Sequence, residues 1–388
     1  MRAERPTEYN EDYHPVDGPA PEWPEAFARS AADREALACL LAIPSLTPRR
    51  LLRLAQTERA ASACLRAVSS GRMGRSADRD RATPGRGREL LQRAAELGAR
   101  FVSVGEPEYP RVLLDLADPP AGLFVIGRPL SQLEPRVAIV GARNCTATGE
   151  EVARTLAMRV GMAGVAVVSG GARGIDRAAH EGALLATGRT IAVLASGVDI
   201  SYPPTHRELF TEIATHGAIV TEYPPGVRAN TFRFPARNRI IAALCRAVVV
   251  VEGAKGSGSM ITADHALDVG RDVLAVPGPV TSDLSYAPHR LIREGATLIR
   301  SADDLLEELG MAPSGWHPDR ASTATAPVPL TEDEECVLGA LHGATPVDRV
   351  AMDSRMEAPR VLGVLIGLEL RGAVRQSGGR WERRPGWS

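Results

Sequence analysis

Residues 137–140 read Val-Ala-Ile-Val, and this short apolar run is the first of six along the middle of the chain. The other five begin near Val165, Ile191, Ala218, Ala247 and Val273. Successive runs start 26 to 29 residues apart, with amphipathic segments between them. A parallel strand needs a crossover long enough for one helix, so this spacing predicts repeated strand–helix units. The runs are apolar throughout, as is typical of strands covered by helices on both faces. We therefore predict an α/β domain with a doubly wound parallel sheet over residues 109–305.

The flanking segments differ in composition from this middle part. Residues 1–30 hold five prolines and seven acids against three arginines, which predicts a disordered tail. Residues 31–108 show short helical patterns, and residues 306–329 form a linker rich in Pro, Ala, Thr and Ser. Residues 330–388 contain three helix candidates and a Gly378-Gly379 turn, typical of a winged helix-turn-helix. That module binds duplex DNA in some proteins and partner proteins in others.

The charge balance limits the kinds of partner. The 388 residues carry 46 Lys and Arg against 47 Asp and Glu, a formal net charge of -1, and Lys255 is the only lysine. Bulk polycation binding is excluded, so any nucleic-acid site is a local patch built mainly from arginines. The cysteines are scattered and include no C-x-x-C pair, which argues against a disulfide framework or a zinc site. No apolar run is long enough to span a membrane. We expect a soluble, cytoplasmic protein without metal or cofactor.

The loops after the strands carry the candidate binding residues, because ligands of parallel sheets gather outside the carboxyl ends of the strands. Glycines there allow backbone N–H groups to approach an anion. The loops after runs one, two and five supply Gly141 and Arg143; Gly170, Gly171, Arg173 and Gly174; and Lys255, Ser257, Gly258 and Ser259. The first of these loops lacks the G-x-G-x-x-G spacing of a dinucleotide fingerprint and the G-K-[ST] ending of a P-loop. We interpret them as phosphate-binding loops, with an ordinary turn and an exposed arginine as the alternative for the first.

Asp176 and His180 lie four residues apart, on one side of a predicted helix. They could form an acid–base pair, or Asp176 could cap the helix while His180 packs nearby. We favour the second interpretation, because the sequence places no nucleophile beside them.

Residues 231–241 read Thr-Phe-Arg-Phe-Pro-Ala-Arg-Asn-Arg-Ile-Ile and combine arginines with aromatic rings. Arginines for phosphates beside aromatic faces for unstacked bases are what single-stranded nucleic acid requires. This predicts contacts from Phe234, Arg237, Asn238 and Arg239. The alternative is that Phe234 packs against the helix while Asn238 and Arg239 connect loops.

The ordered set of motifs resembles the DprA/Smf DNA-processing family over roughly residues 100–300. It comprises G-A-R, S-G-G-A-R-G-I-D-x-A-A-H, G-R-T-I-A-V-L, Y-P-P, T-E-Y-P-P-G, F-P-A-R-N-R-I-I, S-G-S-M-I-T and A-V-P-G. The resemblance implies a non-catalytic protein with an extended Rossmann-like domain that binds single-stranded DNA and loads RecA recombinase during DNA uptake. It also implies a SAM-like helical domain in front, a winged helix behind, and a homodimer formed through His289, Ile292 and Leu298. The chain departs from the family pattern at Gly171, Pro204 and Ala287.

Two other functions compete with this hypothesis. One is a nucleotide phosphoribohydrolase on a related sheet, whose P-G-G-x-G-T-x-x-E motif is broken here at Pro277-Gly278-Pro279 without the glutamate. The other is a transcription regulator that acts through the winged helix.

Overall fold

The structure, a computed structural model, describes residues 22–83, 85–311, 330–343, 345–370, 373–377 and 380–383. The predicted tail over 1–21, most of the predicted linker and the Gly378-Gly379 turn lie outside these ranges. The chain divides into two compact units, residues 1–312 and 313–388.

A nine-stranded sheet forms the centre of the first unit. Its strands are β1 (Arg100–Ser103), β2 (Gly122–Gly127), β3 (Arg136–Val140), β4 (Ala166–Ser169), β5 (Thr190–Val193), β6 (Ala218–Thr221), β7 (Ala247–Val250), β8 (Asp272–Ala275) and β9 (Thr297–Leu298). They are ordered β1-β2-β6-β5-β4-β3-β7-β8-β9. Strands β3 to β8 are the six predicted runs. In the spatial order of the sheet, every neighbouring pair between β6 and β9 is parallel. The predicted α/β fold is confirmed.

Helices cover both faces of this sheet. They are α6 (Ala147–Met162), α7 (Ile175–Ala186), α8 (Arg207–His216), α9 (Arg233–Leu244), α10 (Gly258–Asp268), α11 (Tyr286–Arg293) and α12 (Ala302–Glu308). Successive residues of β3 enter opposite cores: Ala138 and Val140 belong to one buried cluster, Val137 and Ile139 to the other. This double burial explains why the strand carries no polar residue inside its run.

Strands β1 and β2 extend the sheet in the antiparallel direction. Arg100 pairs with Val125 and Ser103 with Gly122, while β2 continues antiparallel onto β6. The rings of Phe101 and Phe124 lie 4.9 Å apart between centroids. Because β1 falls within residues 31–108, that segment is not wholly helical, and its last residues belong to the large sheet.

The N-terminal helices are α1 (Ala31–Leu41), α2 (Pro48–Glu58), α3 (Ala61–Ser69), α4 (Ser76–Arg79) and α5 (Arg86–Glu96). Residues 22–30, assigned above to the disordered tail, pack against them, since Trp23 and Phe27 are buried and their rings stack at 4.9 Å. Near the other boundary, Leu306 and Leu309 are also buried, so the core continues into the segment predicted as linker. The overall composition of the two segments does not reveal that a few of their apolar side chains are buried.

The second unit contains α13 (Glu332–Gly339), α14 (Val347–Ser354) and α15 (Ala358–Leu370). Its small sheet has the order β10-β12-β11, with β10 (Thr345–Pro346), β11 (Val374–Ser377) and β12 (Arg380–Arg383). Trp381 is buried in its core, and Thr331 and Glu334 form the capping box of α13. Three helices and a small antiparallel sheet make the predicted winged helix.

Candidate functional site

A cleft of about 650 Å³ opens at the carboxyl ends of β3 and β7. These neighbouring strands mark the point where the winding reverses, because the chain runs from β3 towards β6 and from β7 towards β8. Ligands of open α/β sheets bind at such a point. The loop after β3, the start of α9 and the start of α10 all contribute to the lining.

One wall of the cleft is a stack of three side chains. The guanidinium carbon of Arg143 lies 4.9 Å from the centroid of the Phe234 ring. Tyr202 packs on Phe234 with 5.3 Å between ring centroids, and Tyr202 is 49% exposed. The stack therefore presents a positive charge and an accessible aromatic edge to the same space. Arg143 is exposed, as a phosphate-binding arginine should be.

A second wall of the cleft is the start of α10, where Ser257, Gly258 and Ser259 belong to the lining. No side chain caps this helix, since the Ser257 hydroxyl pairs with that of Ser259 at 2.6 Å. Asn238 fixes the turn by donating from Nδ2 to the Gly258 carbonyl at 3.2 Å. The first N–H groups of a helix lack intrahelical partners and attract anions. These three residues thus lie where they were predicted, at a start of helix able to hold a phosphate.

The loop after β4 does not present the anion-binding nest suggested by its glycines. The buried carboxylate of Asp176 accepts from the N–H groups of Gly170 at 3.1 Å and Ala172 at 3.3 Å. Gly171 and Gly174 have positive φ, 66° and 73°, which a side chain would strain. The carboxylate of Asp176 therefore occupies the N–H of Gly170, and the assignment of Gly170 as an anion contact is corrected. Gly171 and Gly174 shape the loop through their backbone conformation, and their role as anion contacts stays a prediction.

Arg237 lies in the floor of the cleft and not at its rim. Only 4% exposed, it donates from Nη1 to the carbonyls of Gly170, at 2.7 Å, and Val193. A side chain at Gly170 would overlap its guanidinium, so this glycine permits the close approach. Burial lowers the pKa of Arg237 to about 10, with Asp176 acting against the shift. Its charge faces Asp176, which leaves Arg143 as the exposed guanidinium of the lining.

His180, on α7, is fully buried. Its Nδ1 pairs at 2.7 Å with the Thr190 hydroxyl, which itself donates to the Val167 carbonyl at 2.8 Å. Burial, with Arg237 adding to it, lowers the pKa of His180 to about 3. The buried, neutral imidazole agrees with the structural interpretation of His180. Asp176, however, does not cap α7, whose N-cap is Gly174 without a side-chain hydrogen bond, but accepts from the N–H groups of the preceding loop.

Arg239 is not part of the cleft. It is 1% exposed and forms ion pairs with Glu222 at 2.6 Å and Asp118 at 3.4 Å. Its assignment as a DNA contact is therefore corrected to the alternative role of connecting loops. Arg173 and Lys255 are both exposed on loops beside the cleft. Neither belongs to its lining.

The residues predicted for the dimer differ in exposure. Leu298, on the edge strand β9, is 42% exposed. Ile292 packs partly against the core, and His289 pairs through Nε2 with the Gly278 carbonyl at 2.9 Å. Ala287, where the sequence departs from the family pattern, lies within the regular helix α11 and is buried.

Two residues that shape the site, Tyr202 and Glu252, were not assigned from the sequence, and Asp176 has a role different from the two considered for it. Tyr202 stacks on Phe234, Asp176 fills the glycine loop, and the Glu252 carboxylate receives two hydrogen bonds from Thr146. The Y-P-P motif was the available signal for Tyr202. For Glu252 the available signal was only its position after an apolar run.

Comparison with known proteins shows which family the chain belongs to. The family described as DNA recombination-mediator protein A matches residues 100–310, and the DprA winged helix domain matches residues 321–380. A DprA protein of Mycobacterium tuberculosis is 44% identical over 309 residues, covering 76% of this chain and 78% of the relative. The DNA processing protein DprA of Streptococcus pneumoniae is 44% identical over 205 residues, covering 52% of this chain and 71% of the relative. This chain belongs to the DprA family.

Two solved DprA structures share the fold. The X-ray structure of DprA from Streptococcus pneumoniae has a TM-score of 0.63 at 33% identity and covers 71% of this chain and 97% of that one. A DprA structure from Helicobacter pylori has a TM-score of 0.50 at 29% identity, covering 54% and 95%. That structure is described as showing a single-stranded DNA binding mode. Membership confirms that this DprA chain is a DNA-processing protein of a non-catalytic family, and it disfavours the phosphoribohydrolase hypothesis.

No helix in the described part of the chain has the length and apolar character needed to cross a membrane. In the same residues, no three His, Cys, Asp or Glu side chains are grouped so that they could hold a metal ion.

Proposed function

We propose that this DprA chain binds single-stranded DNA in the cleft between β3 and β7. The observation that carries the proposal is that the Arg143–Phe234 stack and the uncapped start of α10 line the same cleft. A guanidinium and helix N–H groups suit backbone phosphates, and an aromatic ring suits a base that is free of its duplex partner. The single-strand binding mode described for the Helicobacter pylori relative supports the same ligand.

The described side chains divide into contacts and supports. Arg143, Phe234, Ser257, Gly258 and Ser259 are the proposed DNA contacts. Gly141 and Asn238 also line the cleft and shape its two walls. Arg173 and Lys255 extend the positive charge beyond the lining, while Arg237 supports the floor. The cleft holds no array of side chains for reading base edges, so we expect binding without sequence preference.

Two partners belong to the proposal on the strength of the family resemblance. One is a second copy of the chain, held at the sheet edge near Leu298 with His289 and Ile292 beside it. An exposed apolar side chain on an edge strand favours such pairing. The other is RecA recombinase, loaded onto the bound strand in the cytoplasm. Acceleration of RecA filament formation on DNA already covered by this protein would support loading, and its absence would contradict it.

We also propose a division into four parts after the tail. A helical, SAM-like domain comes first, followed by the sheet domain, the linker and the winged-helix domain. The burial of Trp23 and Leu309 argues that the first domain starts by residue 23 and that the sheet domain continues to about residue 309.

Fluorescence anisotropy with matched oligonucleotides tests the ligand. We expect the single strand to bind more tightly than the duplex, with each neutralised phosphate contributing about -0.7 to the log–log salt slope. Equal or tighter duplex binding, or affinity that does not change with salt, would contradict the proposal.

A further inference from the structure

Glu252 connects the two loops that form the walls of the cleft. It lies just after β7, and its carboxylate reaches the loop after β3. The backbone N–H of Thr146 donates to Oε2 at 2.9 Å, and the Thr146 hydroxyl donates to Oε1 at 2.6 Å. Because Thr146 is the N-cap residue of α6, both carboxylate oxygens hold the point where this loop becomes a helix.

The same residue also contacts the beginning of that loop. A Cβ added at Gly141 would lie 2.8 Å from the Glu252 carbonyl oxygen, so the two backbones pass close to each other. The adjacent N–H of Val251 donates to the Val140 carbonyl at 3.1 Å. Glu252 therefore contacts both ends of the segment 141–146, in the middle of which Arg143 lies.

Gly149 makes room for this arrangement. It lies in the first turn of α6, and a side chain there would overlap the carboxyl group of Glu252. Glycine inside a helix costs about 1 kcal/mol relative to alanine, so its presence needs a local reason. Close approach of the carboxylate supplies one.

The carboxylate also occupies the place that a phosphate takes in related sheets. In doubly wound folds, the helix that follows the first strand receives the phosphate of a bound nucleotide at its start. Here the start of α6 already holds an anion of the protein. The phosphates of a bound strand are thereby left to Arg143 and the start of α10.

We propose that Glu252 is a positioning residue that holds the 141–146 loop, and with it Arg143, in the orientation that meets DNA. The proposal rests on the proposed function. It predicts a change in DNA affinity opposite to the one expected from charge alone. Loss of a negative charge near the cleft should by itself tighten DNA binding. Loss of the Glu252 carboxylate should instead weaken it, because Arg143 is no longer held.

The first test compares Glu252→Gln with Glu150→Gln. Glu150 is also in the first turn of α6, but its carboxylate pairs with Arg154 at 3.4 Å and not with Thr146. Both variants lose one negative charge near the same helix start. We expect single-strand binding to be about tenfold weaker in Glu252→Gln, the size of one lost charge-assisted hydrogen bond, and unchanged or tighter in Glu150→Gln. Equal effects of the two variants would overturn the proposal.

Two further variants separate positioning from general stability. In the Arg143→Ala background, Glu252→Gln should weaken binding no further, because it acts through Arg143; additive losses would overturn the proposal. Gly149→Ala should displace the carboxylate and weaken binding. Because alanine favours the helix, far-UV circular dichroism should show that the variant keeps the wild-type fold. Wild-type affinity in a Gly149→Ala protein would also overturn it.

Amide hydrogen exchange keeps the test independent of DNA. Exchange in residues 141–146 should rise in Glu252→Gln and Gly149→Ala and stay unchanged in Glu150→Gln. Unchanged exchange in all three variants would refute the proposal that Glu252 holds the 141–146 loop. If exchange rises in these variants but the wild type fails to bind single strands, the proposed function is wrong, while the role of Glu252 in holding the loop is supported.

Discussion

The guanidinium of Arg143 lies over the ring of Phe234 at 4.9 Å from its centroid, and this contact joins the loop after β3 to the start of α9. A planar cation on an aromatic face fixes the direction of its N–H donors. The two side chains therefore act as one surface, with charge on one side and a ring edge on the other.

The first prediction concerns this surface. Phe234→Leu keeps apolar bulk but removes the ring, and it should reduce single-strand affinity by about 1–3 kcal/mol, the range for one lost base–aromatic stack. Arg143→Ala should weaken binding and lower the salt slope by about 0.7, for one phosphate lost. Arg143→Lys is the matched control: it should keep the slope but not the full affinity. If Phe234→Leu binds single strands as tightly as the wild type does, bases do not stack on this ring.

A second prediction contrasts two arginines of different burial. Arg239→Ala leaves the carboxylates of Glu222 and Asp118 without their shared cation, and loss of one partner of a buried ion pair costs about 3–5 kcal/mol. Urea unfolding should show this loss, or the variant should not fold. Arg173→Ala, which changes an exposed arginine, should stay within about 0.5 kcal/mol of the wild type. A wild-type urea midpoint for Arg239→Ala would refute the role given to these ion pairs.

The third prediction is a pH dependence of stability. Burial lowers the pKa of His180 to about 3, whereas an unfolded histidine titrates near 6.5. Below about pH 6.5 the unfolded state binds a proton that the folded state excludes, so stability falls as the pH falls. Between pH 6.5 and pH 5 this single group should cost about 2 kcal/mol.

Comparison with His180→Gln isolates that contribution, because the other titrating groups are common to both proteins. The difference in unfolding free energy between wild type and variant should change by about 2 kcal/mol over the same range. His216→Gln, at an exposed histidine of α8, should leave the dependence in place. A constant difference between wild type and His180→Gln would mean that His180 takes up its proton in the folded protein.

The fourth prediction tests the dimer. Leu298→Glu places a charge on the edge strand, where a two-fold interface would bring it against its own copy. The variant should sediment as a monomer that still unfolds cooperatively, since Leu298 is 42% exposed in the single chain and its replacement leaves the core intact. Leu185→Glu, on α7 and 69% exposed, is the control and should sediment as the wild type does. An unchanged sedimentation coefficient for Leu298→Glu would place the interface elsewhere.

The sheet could be predicted because its strands are buried on both faces. Such strands produce apolar runs, and each crossover helix imposes a near-constant spacing, so β3 to β8 were found close to their observed starts. Strands β1 and β2 lack this signal. They pair antiparallel, and the chain between Ser103 and Gly122 forms no regular crossover helix of the kind that marked the others.

The site could be predicted only in part. Strand-end loops identified Arg143 and the start of α10, because topology alone brings them together. Arg237 and Arg239 follow within one turn of α9, and the sequence does not say which of them turns inward. Both proved to be buried, one beneath the cleft and one against Glu222. The contact of Glu252 with Thr146 joins segments 106 residues apart, which no local pattern indicates. Asp176 lies only four to six residues from the N–H groups that it accepts from, but an acid at the start of a helix does not show whether it caps the helix or the preceding loop.

Lys255 is exposed on the loop between β7 and α10, and it is the sole lysine of the chain. A reagent that modifies lysine side chains therefore has one target in this protein, two residues from the serine that begins the proposed phosphate-binding wall. A fluorophore attached there would report occupancy of the cleft without any engineered cysteine. Because every other cation is an arginine, the same chemistry would leave the Arg143–Phe234 surface untouched.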